Sequence, residues 1–187
     1  MSTVDQIGAA VVEEIGQCLG RVSGEAVAEA VRLIAAAPRV FCAGAGRSGL
    51  AVRAFAMRLM HMGKSVHVLG EVTTPGIRAG DLLVGGSGSG RTASRVAAAS
   101  KARELGAQVL LFTIDPSSPI GQAASGVVVI PAPSPKARGS GQGQSVQPMG
   151  SLFEQTLFVL LDVVVMLLME REGLRSDEMF KQHANLE

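Results

Sequence analysis

The sequence predicts an α/β fold in which helices wrap a parallel β-sheet. Short apolar runs rich in β-branched residues alternate with amphipathic helical patterns along the 187 residues. Two of these runs lead directly into glycine-rich loops, a common place for ligands in parallel sheets. A chain of this length with 47% hydrophobic residues can bury a full core without disulfides or metals. We therefore expect a single domain over residues 1–187.

Two helices are expected before the first strand. Ile7, Val11 and Ile15 recur at helical spacing, and a second helical pattern ends just before Pro38. These N-terminal helices occupy residues 1–37. The sheet and its crossover helices fill residues 38–130, with strands predicted at 40–43, 66–69, 82–85, 109–113 and 127–130 and helices near 48–62 and 92–105.

The last part of the chain predicts a loop followed by helices. Residues 131–149 combine Pro, Gly, Ser and Gln without periodicity, which is typical of a mobile loop. Residues 150–187 have the pattern of C-terminal helices, and residues 152–169 are apolar nearly all round. Polar residues such as Glu154 and Asp162 interrupt this stretch and would be costly in lipid. We therefore expect a core helix that continues into a subunit interface, and no membrane span.

The charge balance and the aromatic content exclude several classes of partner. With 17 basic and 16 acidic residues the net charge is +1, which offers no electrostatic footprint for nucleic acid. There is no Trp or Tyr to stack on bases. Cys18 and Cys42 fall in core patterns and are expected to be reduced thiols rather than a disulfide or metal ligands. No basic region precedes an apolar run at the N-terminus, so we expect a cytoplasmic protein.

The first glycine loop allows two interpretations. Gly44, Gly46 and Gly49 fit the dinucleotide fingerprint GxGxxG, and Glu71 lies roughly where that fingerprint needs an acid for the ribose. An NAD-binding oxidoreductase is therefore one alternative. It leaves the second glycine loop unexplained, because a dinucleotide fingerprint needs only one such loop.

The second glycine loop, residues 86–92, predicts a phosphate cradle. Gly86, Gly88 and Gly90 free backbone amides next to a helix N-terminus. Three hydroxyl donors lie among them, from Ser87, Ser89 and Thr92. A tight strand-to-helix turn is the structural alternative. Because the carboxyl ends of neighbouring parallel strands meet at one edge, two such loops favour a monophosphate site over a dinucleotide site.

Six motifs give the chain a resemblance to a known family. They are GAGRSG (44–49), AMRLMHMG (56–63), TTPGI (73–77), SGSGRT (87–92), GSLFEQ (150–155) and HANLE (183–187). From about residue 38 onward the chain resembles the sugar isomerase (SIS) domain family, and within it the 6-phospho-3-hexuloisomerase branch. Arg91 departs from the family pattern, in which Glu or Thr is common, so no acid role is assigned there.

The resemblance implies a fold, an activity and an assembly. The fold is a three-layer αβα sandwich with a five-stranded parallel sheet, similar to flavodoxin. The activity is the interconversion of 3-hexulose 6-phosphate and fructose 6-phosphate, in formaldehyde fixation by the ribulose monophosphate pathway or in pentose supply. No metal and no redox cofactor are needed. The assembly is a homotetramer or homodimer with sites near subunit interfaces, and the alternative function is a sugar-phosphate-sensing module like those of transcription regulators.

Three residues are the expected catalytic groups. Glu154 begins the apolar helix, where desolvation would make its carboxylate a better base, although Ser151 and Glu154 also have the spacing of a capping box. His61 and His183 are candidate proton shuttles or hydroxyl ligands, with a helix cap and a solvated tail residue as their structural alternatives. Arg47 could clamp the phosphate or the enediolate, or be an ordinary surface arginine. The expected substrate-binding residues are Gly46, Arg47, Ser48, Ser87, Gly88, Ser89, Gly90 and Thr92.

Overall fold

Seven helices and five strands make up the part of the chain that the structure describes, residues 2–133 and 144–186 of a computed structural model. In chain order they are α1 (Val4–Leu19), α2 (Gly24–Ala36), β1 (Val40–Gly44), α3 (Gly46–His61), β2 (Val66–Val68), β3 (Leu82–Gly86), α4 (Ala93–Glu104), β4 (Gln108–Thr113), α5 (Pro119–Ala123), β5 (Gly126–Val129), α6 (Ser151–Glu172) and α7 (Ser176–Phe180). All five strands lie within one residue of their predicted ends. The short helix α5 was not predicted.

The five strands form one parallel sheet in the order β2-β1-β3-β4-β5. Val40 of β1 pairs with Val66 on one side and with Leu82 on the other. From β1 the chain runs through α3 to β2 at one edge of the sheet. It then passes back to β3, on the other side of β1, without an intervening helix, and the later strands extend the sheet toward its other edge. The gap between β1 and β3 is the topological switch point, where ligands bind in open α/β sheets.

Alternate residues of each strand enter two different cores, because successive side chains of a strand point to opposite faces. On β1, Val40 and Cys42 join a large core under α1, α2, α3 and α6, whereas Phe41 and Ala43 join a smaller core under α4 and α5. Each large apolar side chain buried there contributes roughly 1.5–3 kcal/mol to stability. Helices on both faces of a parallel five-stranded sheet confirm the predicted αβα sandwich.

Helix α6 is the most apolar helix and is buried along one face only. By length and composition it could cross a membrane, with a mean hydropathy of 2.1, and half of its most apolar window is buried inside the protein. The buried face packs against α1, α2 and α3, as expected of a core helix. The opposite face carries exposed apolar side chains: Phe158, Val159, Val163, Met166 and Leu167.

The predicted loop over residues 131–149 is described at its two ends, and residues 134–143 lie outside the described part. At the first end Ala132 is fully buried, and the Arg21 guanidinium donates a hydrogen bond to the Pro131 carbonyl oxygen at 2.9 Å. At the second end Glu14 of α1 binds the backbone and side chains of residues 145–147. Both ends of the loop are therefore attached to the N-terminal helices.

Candidate active site

A cavity of about 320 Å³ lies at the carboxyl ends of β1 and β3, at the switch point of the sheet. Its size falls at the lower end of the range for small-molecule sites. Residues from both glycine loops and from the start of α6 line it: Ala45, Gly46, Ser48, Gly86, Ser87, Gly88, Ser89, Thr92, Ile114, Met149, Gly150, Phe153 and Glu154. The structure thus brings six of the eight predicted binding residues to one place, whereas the other two, Arg47 and Gly90, do not line the cavity.

Three helices direct uncapped N-termini at this cavity. The N-cap residues of α3, α4 and α6 are Ala45, Thr92 and Gly150, and none of them makes a side-chain cap hydrogen bond. By contrast, α1, α2 and α5 are capped by the side chains of Thr3, Ser23 and Ser118. The first N–H groups of an uncapped helix are free to bind an anion, and the helix dipole favours one. The cavity is therefore built to attract an anionic group without a Lys or Arg in its lining.

The second glycine loop is held rigidly by β4 and α5. The Gly88 carbonyl oxygen accepts hydrogen bonds from the Ile114 N–H and the Thr113 hydroxyl, both at 3.1 Å. The Ile120 N–H donates to the Gly90 carbonyl oxygen at 3.4 Å. These bonds occupy carbonyl oxygens that would otherwise repel an anion. Gly90 has a φ of 58°, and a Cβ there would collide with the Ser118 side chain, so only glycine fits.

Close packing between β1 and α3 accounts for two of the three fingerprint glycines in the first glycine loop. A Cβ built on Gly44 would lie 2.6 Å from the Gly49 Cα, so these two glycines allow β1 and α3 to approach closely. Gly46 has a φ of 55° and open space around it, at the edge of the cavity. Glu71, the residue considered for a ribose, is paired with Arg53 on the exposed side of α3. The fingerprint is thus used here without the acid that a dinucleotide would need.

Glu154 lies at the rim of the cavity and is paired with Arg47. The Arg47 Nε donates to the Glu154 Oε2 at 2.6 Å, with the arginine side chain 62% and the glutamate side chain 21% exposed. The capping-box alternative for Glu154 is wrong, because Gly150 is the N-cap and Ser151 is already the first helical residue. Arg47 does not line the cavity itself and contacts it only through Glu154. The carboxylate is therefore partly accessible and has a cation beside it.

His61 and His183 lie together, away from this cavity. The two rings stack with centroids 5.5 Å apart, and the Arg58 guanidinium lies 3.3 Å from the His61 Nδ1. Burial lowers the pKa of His61, and the charges of Arg58 and His183 lower it further. His61 ends α3 and Gly46 begins it, so roughly 22 Å of helix separates the histidine from the cavity at 1.5 Å per residue. One subunit does not bring these histidines to Glu154.

Sequence reasoning missed several residues of the cavity wall. Met149 has a φ of 57°, rare for a residue other than glycine, and nothing in its sequence context signals that conformation. Phe153 and Ile114 resemble ordinary core residues in the sequence.

An ion pair outside the cavity lining joins Asp115 and Arg91 at 2.9 Å, and the pKa of Asp115 is lowered by the Ser117 hydroxyl and by Arg91. Within residues 2–133 and 144–186, no cluster of His, Cys, Asp and Glu could hold a metal ion.

The fold and the cavity define an α/β protein with a small-molecule site at the switch point of its sheet. The family model of the SIS domain matches residues 33–159, which is more than half of the chain. The chain therefore belongs to the SIS domain family. This confirms the resemblance drawn from the two glycine loops and the motifs around them.

Relatives and a solved structure are similar over nearly the whole chain. The 3-hexulose-6-phosphate isomerase of Bacillus subtilis is 44% identical over 187 residues and covers 100% of both chains. That of Mycobacterium gastri is 46% identical over 175 residues, 94% of this chain and 87% of its own. The crystal structure of a hypothetical protein from Methanococcus jannaschii, described as inferring a molecular function of 3-hexulose-6-phosphate isomerase, has a TM-score of 0.83 at 31% identity. That match covers 96% of this chain and 98% of the other.

Proposed function

We propose that the chain isomerises 3-hexulose 6-phosphate to fructose 6-phosphate. The observation that carries this proposal is the meeting of three uncapped helix N-termini with one partly accessible carboxylate in a single cavity. Relatives named for this activity match the chain from end to end or nearly so. The sensor and the NAD-binding alternatives are not favoured, since those relatives are named as isomerases and Glu71 is engaged with Arg53.

The phosphate is bound by neutral donors in this proposal. Ser48, Ser87, Ser89 and Thr92 line the cavity and can offer their hydroxyls, together with the first amides of α3 and α4. Hydrogen bonds from neutral groups to an anion are charge-assisted and are worth about 1.5–3 kcal/mol each. With the phosphate fixed there, the sugar chain extends toward Glu154 and Met149 at the rim. The substrate is thereby oriented before chemistry begins.

Glu154 is the base in the proposed reaction. It removes the proton from C2, the electrons of that bond form the C2–C3 double bond of an enediolate, and the C3 carbonyl becomes an alkoxide. The proton of the C2 hydroxyl then moves to the C3 alkoxide oxygen, and the proton held by Glu154 returns to C3, which leaves the C2 ketone and a C3 hydroxyl. Arg47 already lies beside Glu154 and can stabilise the negative charge of the enediolate. No redox cofactor or metal is part of this sequence.

We place His61 and His183 at the cavity of a neighbouring subunit. They lie at the far end of α3 from their own cavity, and their two rings stack on each other. Coexpression of His61→Asn and Glu154→Gln subunits tests this placement, because some sites of the mixed oligomer would then contain neither change. Activity recovered above that of either single variant supports the placement. Activity no greater than that of the single variants contradicts it.

The exposed apolar faces of α3 and α6 support a homotetramer or homodimer. Leu50, Met57 and Met60 of α3, which packs against α6, are exposed as well. Several exposed apolar side chains on two packed helices are typical of a subunit interface. Sedimentation at micromolar concentration should show no stable 19.3 kDa species, and Phe158→Glu should shift the protein toward smaller species. A stable wild-type monomer would contradict the assembly.

The expected partner is a small sugar phosphate in the cytoplasm, with no nucleic acid or membrane partner. The direct test supplies 3-hexulose 6-phosphate and follows fructose 6-phosphate, with the unphosphorylated ketose as a control. The proposal expects turnover of the phosphate ester only, because the cavity holds the substrate by its anion. No fructose 6-phosphate, together with binding of NADH in a spectroscopic titration, would favour the oxidoreductase instead.

A further inference from the structure

A short segment separates the substrate cavity from a second, larger cavity. The strap, residues 145–150, connects the loop before α6 to the first turn of that helix. On one side Met149 and Gly150 line the 320 Å³ cavity. On the other side Val146, Gln147 and Pro148 line a cavity of about 500 Å³ to which α1 also contributes lining residues. Any shift of the strap would therefore change the wall of the substrate cavity.

Glu14 of α1 holds the strap through three hydrogen bonds. Its carboxylate accepts from the Ser145 hydroxyl at 2.7 Å, from the Val146 N–H at 2.8 Å and from the Gln147 side-chain amide at 3.1 Å. The Ser145 hydroxyl oxygen also accepts from the Gln147 N–H at 3.0 Å. The Glu14 carboxylate thus accepts hydrogen bonds from three consecutive residues at the start of the strap, where the strap lies against α1.

The strap has a backbone that needs such an anchor. Met149 has a φ of 57° and is 87% exposed, so neither local preference nor burial of its own side chain holds it there. Gln147 is only 7% exposed, and its Oε1 is buried without a hydrogen-bond partner. Conformations of this kind persist only where surrounding contacts fix them. The Glu14 hydrogen bonds hold the first three residues of the strap, directly before the turn through Met149.

We propose that Glu14 is a positioning residue for sugar-phosphate binding: it fixes the strap and so sets Met149 and Gly150 at the wall of the substrate cavity. This inference rests on the proposed function of that cavity. The strap ends in the first turn of α6, where the Ser151 N–H donates to the Pro148 carbonyl oxygen at 3.1 Å. Glu14 thereby also sets where the N-terminus of α6 meets the substrate.

The ionised form of Glu14 suits this role. Desolvation raises the pKa of Glu14, but the hydrogen bonds from Ser145, Val146 and Gln147 together outweigh it, so the pKa is lowered. A carboxylate that accepts three donors has no donor of its own to oppose them. Replacing it by an amide of the same shape turns an NH₂ group toward donors that it cannot pair with.

The test compares Glu14→Gln with Glu13→Gln on the same helix. Glu13 is exposed and, among the residues that the structure describes, its side chain bonds only to Gln17, so its variant removes one charge from α1 and leaves the strap unchanged. For Glu14→Gln we expect KM for 3-hexulose 6-phosphate to rise roughly three- to tenfold, the range of one lost hydrogen bond. Turnover should stay within about twofold, because Glu154 remains paired with Arg47. Calorimetry should show the same weakening for fructose 6-phosphate.

Ser145→Ala gives a second route to the same result. It removes the hydroxyl that links Glu14 to the strap and should raise KM in the same direction by a smaller factor, even where Glu14→Gln does not fold. An unchanged KM and Kd with a lower melting temperature would overturn the inference, since Glu14 would then only stabilise the fold. An inactive wild type would count against the proposed function instead, and the fructose 6-phosphate affinities of the variants would still test the strap.

Discussion

The two ends of the sheet each carry an arginine–carboxylate pair, and the pairs differ in burial. At the amino ends Arg39 and Asp81 immediately precede β1 and β3, with side chains 15% and 1% exposed. At the carboxyl ends Arg47 and Glu154 are 62% and 21% exposed. The same two chemical groups therefore occupy a closed environment at one end and an open one at the other. The buried Arg39–Asp81 pair can therefore only stabilise the fold, whereas the exposed Arg47–Glu154 pair is accessible to a substrate.

The buried pair is fully engaged by its own structure. The Arg39 Nε donates to the Asp81 Oδ1 at 3.0 Å, and the Arg78 N–H donates to the other carboxylate oxygen at 2.8 Å. Arg39 also reaches the Gly76 carbonyl oxygen, which ties down the crossover between β2 and β3. Desolvation raises the pKa of Asp81, but its hydrogen bonds with Arg39 and Arg78 outweigh this and lower it. Both carboxylate oxygens are thus hydrogen-bonded within the protein, and the Asp81 side chain is closed to solvent.

The open pair has neighbours with spare hydrogen-bonding capacity. The helices that meet beside Glu154 lack side-chain caps, whereas α1, α2 and α5, whose N-caps do not line the cavity, have them. Because the first N–H groups of a helix have no intrahelical acceptor, the uncapped N-termini offer donors that an anion can use.

The largest expected effect comes from Glu154→Gln. The amide keeps the shape of the side chain but cannot take a proton, so turnover should fall by about 10² to 10⁴. Because the original pair is exposed, the melting temperature should change little. Steady-state kinetics and thermal unfolding on one preparation check both points. A less stable but active variant would give Glu154 a structural role.

The same acid-to-amide change at Asp81 should have the opposite outcome. Asp81→Asn leaves Arg39 without its counter-charge in a buried setting and should cost about 3 kcal/mol, at the lower end for a broken buried pair because Arg39 retains some exposure. Urea unfolding measures the loss. Below its melting temperature the variant should keep its specific activity. A fall in activity without loss of stability would contradict a purely structural role for Asp81.

A smaller effect is expected from the phosphate loop. Ser89→Ala removes one hydroxyl donor and should weaken fructose 6-phosphate binding by about tenfold, since hydrogen bonds to charged groups are worth about 1.5–3 kcal/mol. Ser100→Ala, on the exposed side of α4, is the matched control and should leave affinity unchanged. Calorimetry checks both variants. Equal affinity in the two would remove this loop from the binding site.

The smallest expected effect concerns the pH dependence at His61. Its pKa is lowered from the ordinary value of 6.5 by burial, Arg58 and His183, so the folded protein binds fewer protons there than the unfolded chain. The contribution of the neutral His61 ring to the free energy of unfolding is therefore complete above pH 6.5 and is lost as pH falls through the lowered pKa. His61→Asn should flatten this part of the stability curve, measured by urea unfolding between neutral and mildly acidic pH. Equal slopes in wild type and variant would contradict it.

The sequence predicts the elements well and the pairings between them poorly. Strand positions follow from local apolar runs, and the two glycine loops share an edge because parallel strands end together. The Arg47–Glu154 pair joins residues 107 positions apart, which no local period encodes. The Ser151–Glu154 spacing predicts a cap at Ser151, but the helix starts one residue earlier, with Gly150 as its N-cap. Helix α5 is too short, at five residues, to show a period.

The separation of His61 from its own cavity follows from the predicted helix near 48–62, which starts at the first glycine loop and ends close to His61. The motif that contains His61 and the motif that contains Gly46 are neighbours in the sequence, but α3 places them at opposite ends of a straight element. Where a residue lies along a helix, rather than how near it is in the chain, decides which site it can serve.

One measurement tests most directly whether the open pair takes part in chemistry and the buried pair does not. It follows by NMR how fast the hydrogen that the substrate carries on C2 exchanges with deuterated solvent during isomerisation. Wild type, Asp81→Asn and Glu154→Gln are compared at a temperature where all three are folded. We predict that wild type and Asp81→Asn exchange this hydrogen at similar rates and that Glu154→Gln does not. Exchange by Glu154→Gln at the wild-type rate would contradict the assignment of the open pair to chemistry.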